Sequence, residues 1–186
     1  MHRAMLLGAI VSGMTVAPAV VASPHVQEFH AVFSGFNEVG ALSAPTGAIL
    51  SDGRATLDLK VNRADQSITF VLKYSGLGSD VTQAHIHFGK VHVAGGVMVY
   101  FCSNLGTGPA GTPTCPAGGG TVTGTLTAAS VLQIQSQNVP AGDFDAIVDA
   151  LESETTYANI HTKGFPAGEI RGEIRRGFGF GLREED

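Results

Sequence analysis

The sequence predicts an all-β domain, either a sandwich or a barrel, that contains one short helix. Glycine is frequent, at 25 of 186 residues, while aromatic residues make up only 7% and tryptophan is absent. Short segments rich in threonine and valine alternate apolar with polar residues, and turn residues separate them. Several such segments in succession are typical of sandwiches and barrels. The length suits a single domain, and no domain boundary is indicated.

The first predicted strands include an antiparallel hairpin. VQEFHAVF (26–33) opens the domain, and a loop containing Pro45 and Gly47 follows it. GRATLDLKVN (53–62) and SITFVLKYSGL (67–77) alternate apolar with polar residues on either side of the turn RADQ, as half-buried strands do. The side chains expected on the buried face are Ala55, Leu57, Leu59, Val61, Ile68, Phe70, Leu72 and Tyr74.

The remaining segments predict further strands and one helix. The strands are TQAHIHFG (82–89), GGVMVYFC (95–102), GTVTGTLT (120–127), TTYANIHTKGF (155–165) and the end of PAGEIRGEIRR (166–176). In DFDAIVDALES the apolar residues fall at i, i+3, i+4 and i+7, which forms a single helical stripe. Asp143 and Asp145 lie near its amino end, where the helix dipole favours negative charge.

Residues 1–22 have the pattern of a secretory signal peptide. Arg3 precedes an apolar run, and the small residues Val20 and Ala22 occupy positions −3 and −1 of a cleavage site after Ala22. A retained membrane anchor is the alternative, but glycine and proline interrupt the run, and a bilayer span needs about 20 apolar residues. The mature protein is therefore expected to be secreted or periplasmic, with no membrane span.

The mature domain is expected to cover residues 23–176, followed by a flexible tail at 177–186. The formal net charge is −5, and no basic stripe or aromatic-interleaved run of Lys and Arg is present. Nucleic acid is therefore not expected as a partner. An extracellular protein partner is compatible with this charge.

The two cysteines, Cys102 and Cys115, are expected to form a disulfide because exported proteins with few cysteines commonly pair them. Closing a ring of about 14 residues would stabilise the fold by roughly 3 kcal/mol. The alternative is a pair of thiolate metal ligands, for which the CxxC spacing is lacking.

Three of the seven histidines fall within AHIHFGKVH, residues 84–92. His85 and His87 lie on the same face of the predicted strand, with Cβ atoms about 7 Å apart. That separation allows both imidazoles to converge on one zinc or copper ion. His92 could join them only if Gly89 permits a turn or bulge.

His161, in YANIH, has a similar context and would complete a three-imidazole set if its strand neighbours the first. Two alternatives remain open for these histidines: an exposed polar strand face, or core-edge side chains bonded to backbone carbonyls. No GxSxG motif and no glycine-rich phosphate loop before a helix occurs, so metal-independent hydrolysis has no support.

The segment AGEIRGEI places Glu169, Arg171 and Glu173 on one strand face. One interpretation is a solvated ladder of alternating charge, which stabilises a sheet by a few tenths of a kcal/mol per pair. The functional interpretation places Arg171 near the metal to guide small anions, or has Glu169 orient a histidine.

The segments FNEVG, APTGAILSDGRATLDL, YSGLGSDVTQAHIHFG and TTYANIHTKGFPAGEIRGEI resemble the CHRD domain, a module repeated in chordin and found singly in many exported bacterial proteins. The resemblance covers about residues 27–176. CHRD domains are in turn distantly similar to copper/zinc superoxide dismutases, with an HxH pair, a later His and an Arg in the same order.

This resemblance implies a superoxide-dismutase-like Greek-key sandwich. It implies His85, His87 and His161 as ligands of copper or zinc, with His92 as a fourth. Three functional hypotheses follow: metal binding by an exported CHRD domain, a dismutase-type redox enzyme, and a metal-free adhesion or interaction module. Fold likeness alone does not transfer chemistry, so dismutase activity is not implied.

Overall fold

The computed structural model describes residues 26–41 and 43–177. The predicted signal peptide, most of the predicted tail, His2 and His25 lie outside these residues. The strands are β1 (Val26–Phe33), β2 (Gly40–Ala41), β3 (Ala44–Pro45), β4 (Arg54–Asn62), β5 (Ser67–Ser75), β6 (Val81–Phe88), β7 (Gly96–Ser103), β8 (Gly120–Thr127), β9 (Thr156–Thr162), β10 (Ile170–Glu173) and β11 (Arg175–Arg176). The helix α1 covers Phe144–Glu152, and short 3-10 helices cover Gly35–Asn37, Ala128–Ser130 and Gln135–Gln137.

Two antiparallel sheets form a β-sandwich, as the sequence predicts. One sheet has the order β11-β1-β4-β5-β8 and the other β10-β9-β6-β7. The chain passes from β5 to the second sheet for β6 and β7, and β8 then returns to pair with β5. This return beside an earlier strand is a Greek-key connection. The inner faces of the two sheets contribute to one apolar core.

The predicted hairpin is confirmed, with Asn62 of β4 opposite Ser67 of β5. Buried and exposed residues alternate along both strands because side chains on a strand point to opposite faces in turn. The residues buried in these strands are those that the sequence predicts: Ala55, Leu57, Leu59, Val61, Ile68, Phe70, Leu72 and Tyr74.

The predicted helix is confirmed as α1. Asp143 is its N-cap, and the carboxylate accepts a hydrogen bond of 3.0 Å from the Ala146 amide. The apolar stripe of the helix, from Phe144 to Leu151, is buried in the core. Within the part of the chain that the structure describes, no helix is long and apolar enough to span a bilayer.

The disulfide between Cys102 and Cys115 is confirmed, so these cysteines are not thiolate ligands. Asn104 also holds the loop that the disulfide closes. Its amide nitrogen donates to the carbonyls of Val81 and Cys115, and its oxygen accepts from the Cys115 amide. The loop is therefore fixed to the start of β6 by side-chain hydrogen bonds as well as by the covalent link.

The second sheet has a polar outer face that is nevertheless buried. In β6, Ala84 and Ile86 belong to the apolar core, so the alternating His85 and His87 point away from it. Carbonyls of the loop at 89–95 accept hydrogen bonds on this face. Loops rather than the opposite sheet therefore exclude water here.

The interpretation of Glu169, Arg171 and Glu173 as a solvated ladder is wrong. Glu169 and Arg171 are both fully buried, and the Glu173 side chain is only 16% exposed. Glu169 precedes β10 and bonds to Ser51, Gly78 and Thr162. Arg171 and Glu173 do share a face, since Arg171 donates to Glu173, but loops distant in sequence cover that face. Arg171, for example, donates to the carbonyls of Lys90 and Val93.

Candidate metal centre

Pairing of β6 with β9 brings the histidines together. His85 lies opposite Asn159, and His161 lies opposite Gln83, two residues before His85. Because residues two apart on a strand share a face, His85, His87, Asn159 and His161 project to the same side of the sheet. The expectation that His161 lies on a strand next to the HxH pair is confirmed.

The three imidazoles form one buried cluster. His85, His87 and His161 are 2%, 8% and 5% exposed, and one ring nitrogen of each lies within 4.8 Å of the others. His85 Nδ1 lies 3.1 Å from His87 Nε2. The other nitrogen of His85, Nε2, is buried without a hydrogen-bond partner. Three convergent imidazoles are a ligand set that suits zinc and copper.

Backbone carbonyls fix the tautomers of two of the histidines. His87 Nδ1 lies 2.9 Å from the Gly95 carbonyl oxygen, and His161 Nδ1 lies 2.8 Å from the Pro166 carbonyl oxygen. A carbonyl oxygen can only accept, so each Nδ1 carries the proton and donates it. In the neutral rings, the Nε2 atoms therefore present lone pairs to the cluster. This arrangement orients imidazoles as metal ligands.

Burial keeps all three imidazoles neutral at pH 7. It is the main cause that lowers the pKa of His85 well below the usual value for histidine, and repulsion from the charged forms of His161 and His87 would lower it further. Burial lowers the pKa of His87 to about 4 and also lowers that of His161. Protons therefore do not compete for the nitrogen lone pairs near neutral pH.

An aromatic and cationic stack supports His87 from one side. The Tyr157 ring lies parallel to that of His87, with 4.7 Å between centroids, and the Arg171 guanidinium lies 3.4 Å from the Tyr157 centroid. Tyr157 also accepts a hydrogen bond of 3.1 Å from the Gly95 amide. Both backbone groups of Gly95 are therefore hydrogen-bonded, since its amide donates to Tyr157 and its carbonyl accepts from His87.

A comparison with known families identifies the domain. Residues 29–174 match the model of the CHRD domain, and this range includes most of β1, all of β2 to β10 and all three clustered histidines. The chain belongs to the CHRD family. No curated protein and no solved structure gave a significant match. A CHRD domain and an intramolecular disulfide are both typical of extracellular proteins.

His92 does not join the cluster of this CHRD domain. It is exposed on the loop after β6, where its backbone adopts a left-handed conformation with φ of 61°. The chain does turn after Gly89, with a hydrogen bond from the Val93 amide to the Lys90 carbonyl. That turn, however, directs backbone carbonyls rather than the His92 ring toward the buried face.

Glu169 and Arg171 have structural partners in the CHRD domain. Glu169 accepts hydrogen bonds from Ser51, Gly78 and Thr162, and no hydrogen bond to a histidine is present among the described residues. Arg171 is fully buried and bonded to Glu173 and two loop carbonyls, so it presents no charge to solvent for guiding anions. It acts instead on the loop that orients His87.

Asn159 also borders the cluster, and Glu38 lies next to Asn159, although the sequence predicted no role for either residue. Asn159 Oδ1 lies 3.0 Å from Nε2 of both His87 and His161. The alternation in YANIH indicated that Asn159 shares a face with His161. Nothing comparable in the sequence indicated that Glu38, from the loop after β1, would lie nearby.

Proposed function

We propose that this CHRD domain binds one copper or zinc ion through His85, His87 and His161. The convergence of three buried imidazoles from β6 and β9 carries the proposal. Two of them turn an unprotonated Nε2 inward because their Nδ1 atoms donate to backbone carbonyls. A cluster kept only for packing would pair its buried nitrogens, yet His85 Nε2 has no hydrogen-bond partner among the described residues.

The ligand chemistry favours zinc and copper over calcium and magnesium. Imidazole nitrogen suits zinc and copper, whereas calcium and magnesium prefer oxygen ligands. The cluster contains no carboxylate within its group of candidate ligands. The Arg171 charge, separated from His87 by the Tyr157 ring, also makes the surroundings unfavourable for a hard cation bound by charge alone.

We further propose that the protein acts outside the cytoplasm, as a secreted or periplasmic metal-binding domain. The disulfide and the family support this, since both are typical of extracellular proteins. The pattern of residues 1–22 supports it as well, because it combines a positive charge, an apolar run and a small-residue cleavage site.

Metal analysis of protein purified without a histidine tag tests the proposal. After incubation with micromolar zinc or copper and gel filtration, elemental analysis should find one metal ion per chain. The His92→Ala variant should retain the same stoichiometry because His92 is exposed and lies outside the cluster. Protein that retains neither metal would contradict the proposed function.

A further inference from the structure

We propose that Asn159 supplies the fourth ligand to the ion, through Oδ1, and that Glu38 determines which end of the Asn159 amide faces the histidines. This inference rests on the proposed metal binding. Asn159 lies on β9 and Glu38 lies in the loop after β1, and the two side chains lie next to each other.

The atoms around Asn159 Oδ1 form a group of acceptors without a proton between them. His87 Nε2 and His161 Nε2 each lie 3.0 Å from this oxygen. Both nitrogens carry lone pairs in the neutral rings, since their Nδ1 protons are donated to Gly95 and Pro166. The lone pairs of Oδ1 and of the two Nε2 atoms therefore repel one another. A cation bound between the three atoms would remove this repulsion because all three would coordinate it.

The separations suit a shared ion. Bonds from zinc to imidazole nitrogen or to oxygen are about 2.0–2.2 Å, so tetrahedral ligand atoms lie about 3.3–3.6 Å apart. The observed separations are 3.0 Å from Asn159 Oδ1 to each Nε2 and 3.1 Å from His85 Nδ1 to His87 Nε2. An expansion of a few tenths of an ångström at these contacts, together with a contraction of the widest imidazole separation from its 4.8 Å limit, would accommodate the ion. Three imidazoles and one amide oxygen then complete four-coordination.

Glu38 accounts for the orientation of the Asn159 amide. The Glu38 carboxylate is buried, and Oε1 accepts hydrogen bonds from the Val39 and Gly40 amides at 2.9 and 3.1 Å. The other oxygen, Oε2, is buried and has no hydrogen-bond partner among the described residues. The Asn159 amide nitrogen is a donor on this side, and its interaction with Glu38 helps to oppose the rise in the Glu38 pKa that burial causes.

Gly168 allows Glu38 and Asn159 to approach each other. Its φ is 123°, a conformation that residues with a side chain rarely adopt. A Cβ at this position would overlap Glu38 Oε2 and would lie 3.0 Å from Asn159 Nδ2. Oε2 and Nδ2 therefore both border the space that the missing side chain leaves. With Nδ2 directed toward the carboxylate, Oδ1 is directed toward the histidines.

The Glu38→Gln variant tests the orientation. The substituted amide would keep an oxygen for the Val39 and Gly40 amides and would place an NH2 group opposite Asn159. The Asn159 amide should then rotate, so that Nδ2 donates to the Nε2 atoms and no oxygen ligand remains. Zinc affinity, measured by competition with a chromophoric chelator, should fall about 10- to 100-fold. The metal-free variant should melt at or above the wild-type temperature because the lone pairs gain a donor.

Two further variants of the full chain complete the test. Asn159→Ala removes the oxygen and should lower zinc affinity by a similar factor. Glu169→Gln is the matched control, since it also converts a fully buried carboxylate to an amide, but its partners are Ser51, Gly78 and Thr162. It should lower the melting temperature and leave zinc affinity within about twofold of wild type.

The outcomes separate the two proposals. If wild-type protein binds zinc and both Glu38→Gln and Asn159→Ala bind it equally well, this inference is wrong and the histidine site stands. If wild-type protein binds neither zinc nor copper, the proposed function fails and this inference fails with it. Should Asn159→Ala not fold, Glu38→Gln decides the question alone, because it retains the size and the backbone hydrogen bonds of the original side chain.

Discussion

Replacing His161 by alanine is expected to lower the affinity for zinc or copper by more than about 100-fold, beyond the effect typical of residues that only orient a ligand. His161 is the only histidine that β9 contributes to the cluster, and its Nε2, like that of His87, lies 3.0 Å from Asn159 Oδ1. Without it, only the two imidazoles on β6 remain as histidine ligands, and two ligands bind an ion far more weakly than three. Chelator competition measures the change.

The matched control for this variant is His92→Ala. It removes the same type of side chain from an exposed position in the loop that follows β6, the strand of His85 and His87. Its affinity should equal that of wild type. If His161→Ala retains wild-type affinity while His92→Ala loses it, the ion would lie on the surface loop, and the buried site would be excluded.

Replacing Arg171 by alanine is expected to lower the free energy of unfolding by about 3–5 kcal/mol, as is typical when one partner of a buried ion pair is removed. The guanidinium bonds to Glu173 at 2.9 Å and to the carbonyls of Val93 and Lys90 at 3.2 and 3.1 Å. All of these acceptors would lose their donor, and a cavity would open against the Tyr157 ring.

Urea denaturation measures the loss, and Arg175→Ala serves as the control. The Arg175 side chain is 37% exposed and pairs with Glu154 at 3.4 Å, so its removal should cost no more than about 1 kcal/mol. The metal-free form of Arg171→Ala should also show faster amide exchange at residues 89–95, since Arg171 holds that loop. A loss below about 1 kcal/mol for Arg171→Ala would show that the buried stack contributes little.

Strand alternation and helical periodicity in the sequence were sufficient to predict several elements. The β4–β5 hairpin, α1 and the common face of His85 and His87 each follow from a local repeat of two or 3.6 residues. The proximity of His161 required two remote strands to pair, and its NIH context beside HIH provided that indication. Periodicity predicts which face a residue occupies.

What covers a face is not encoded in the same local pattern. The sequence predicted Glu169, Arg171 and Glu173 on one side of a strand, yet the burial of Arg171 depends on a loop from another part of the chain, residues 89–95. The place of His92 likewise depended on how its loop turns. The position of Glu38 could not be predicted from a local pattern either, because only the tertiary fold brings its loop to Asn159.

The proposed function requires that imidazoles from β6 and β9 share one ion. An anomalous difference map at the zinc edge, from crystals of the zinc-loaded protein, would locate that ion without reference to any variant. We expect a single strong peak within about 2.0–2.1 Å of Nε2 of His87, Nε2 of His161 and a ring nitrogen of His85. A peak only at His92 or at surface carboxylates, with the three rings unchanged and no density between them, would show that the imidazoles do not share an ion.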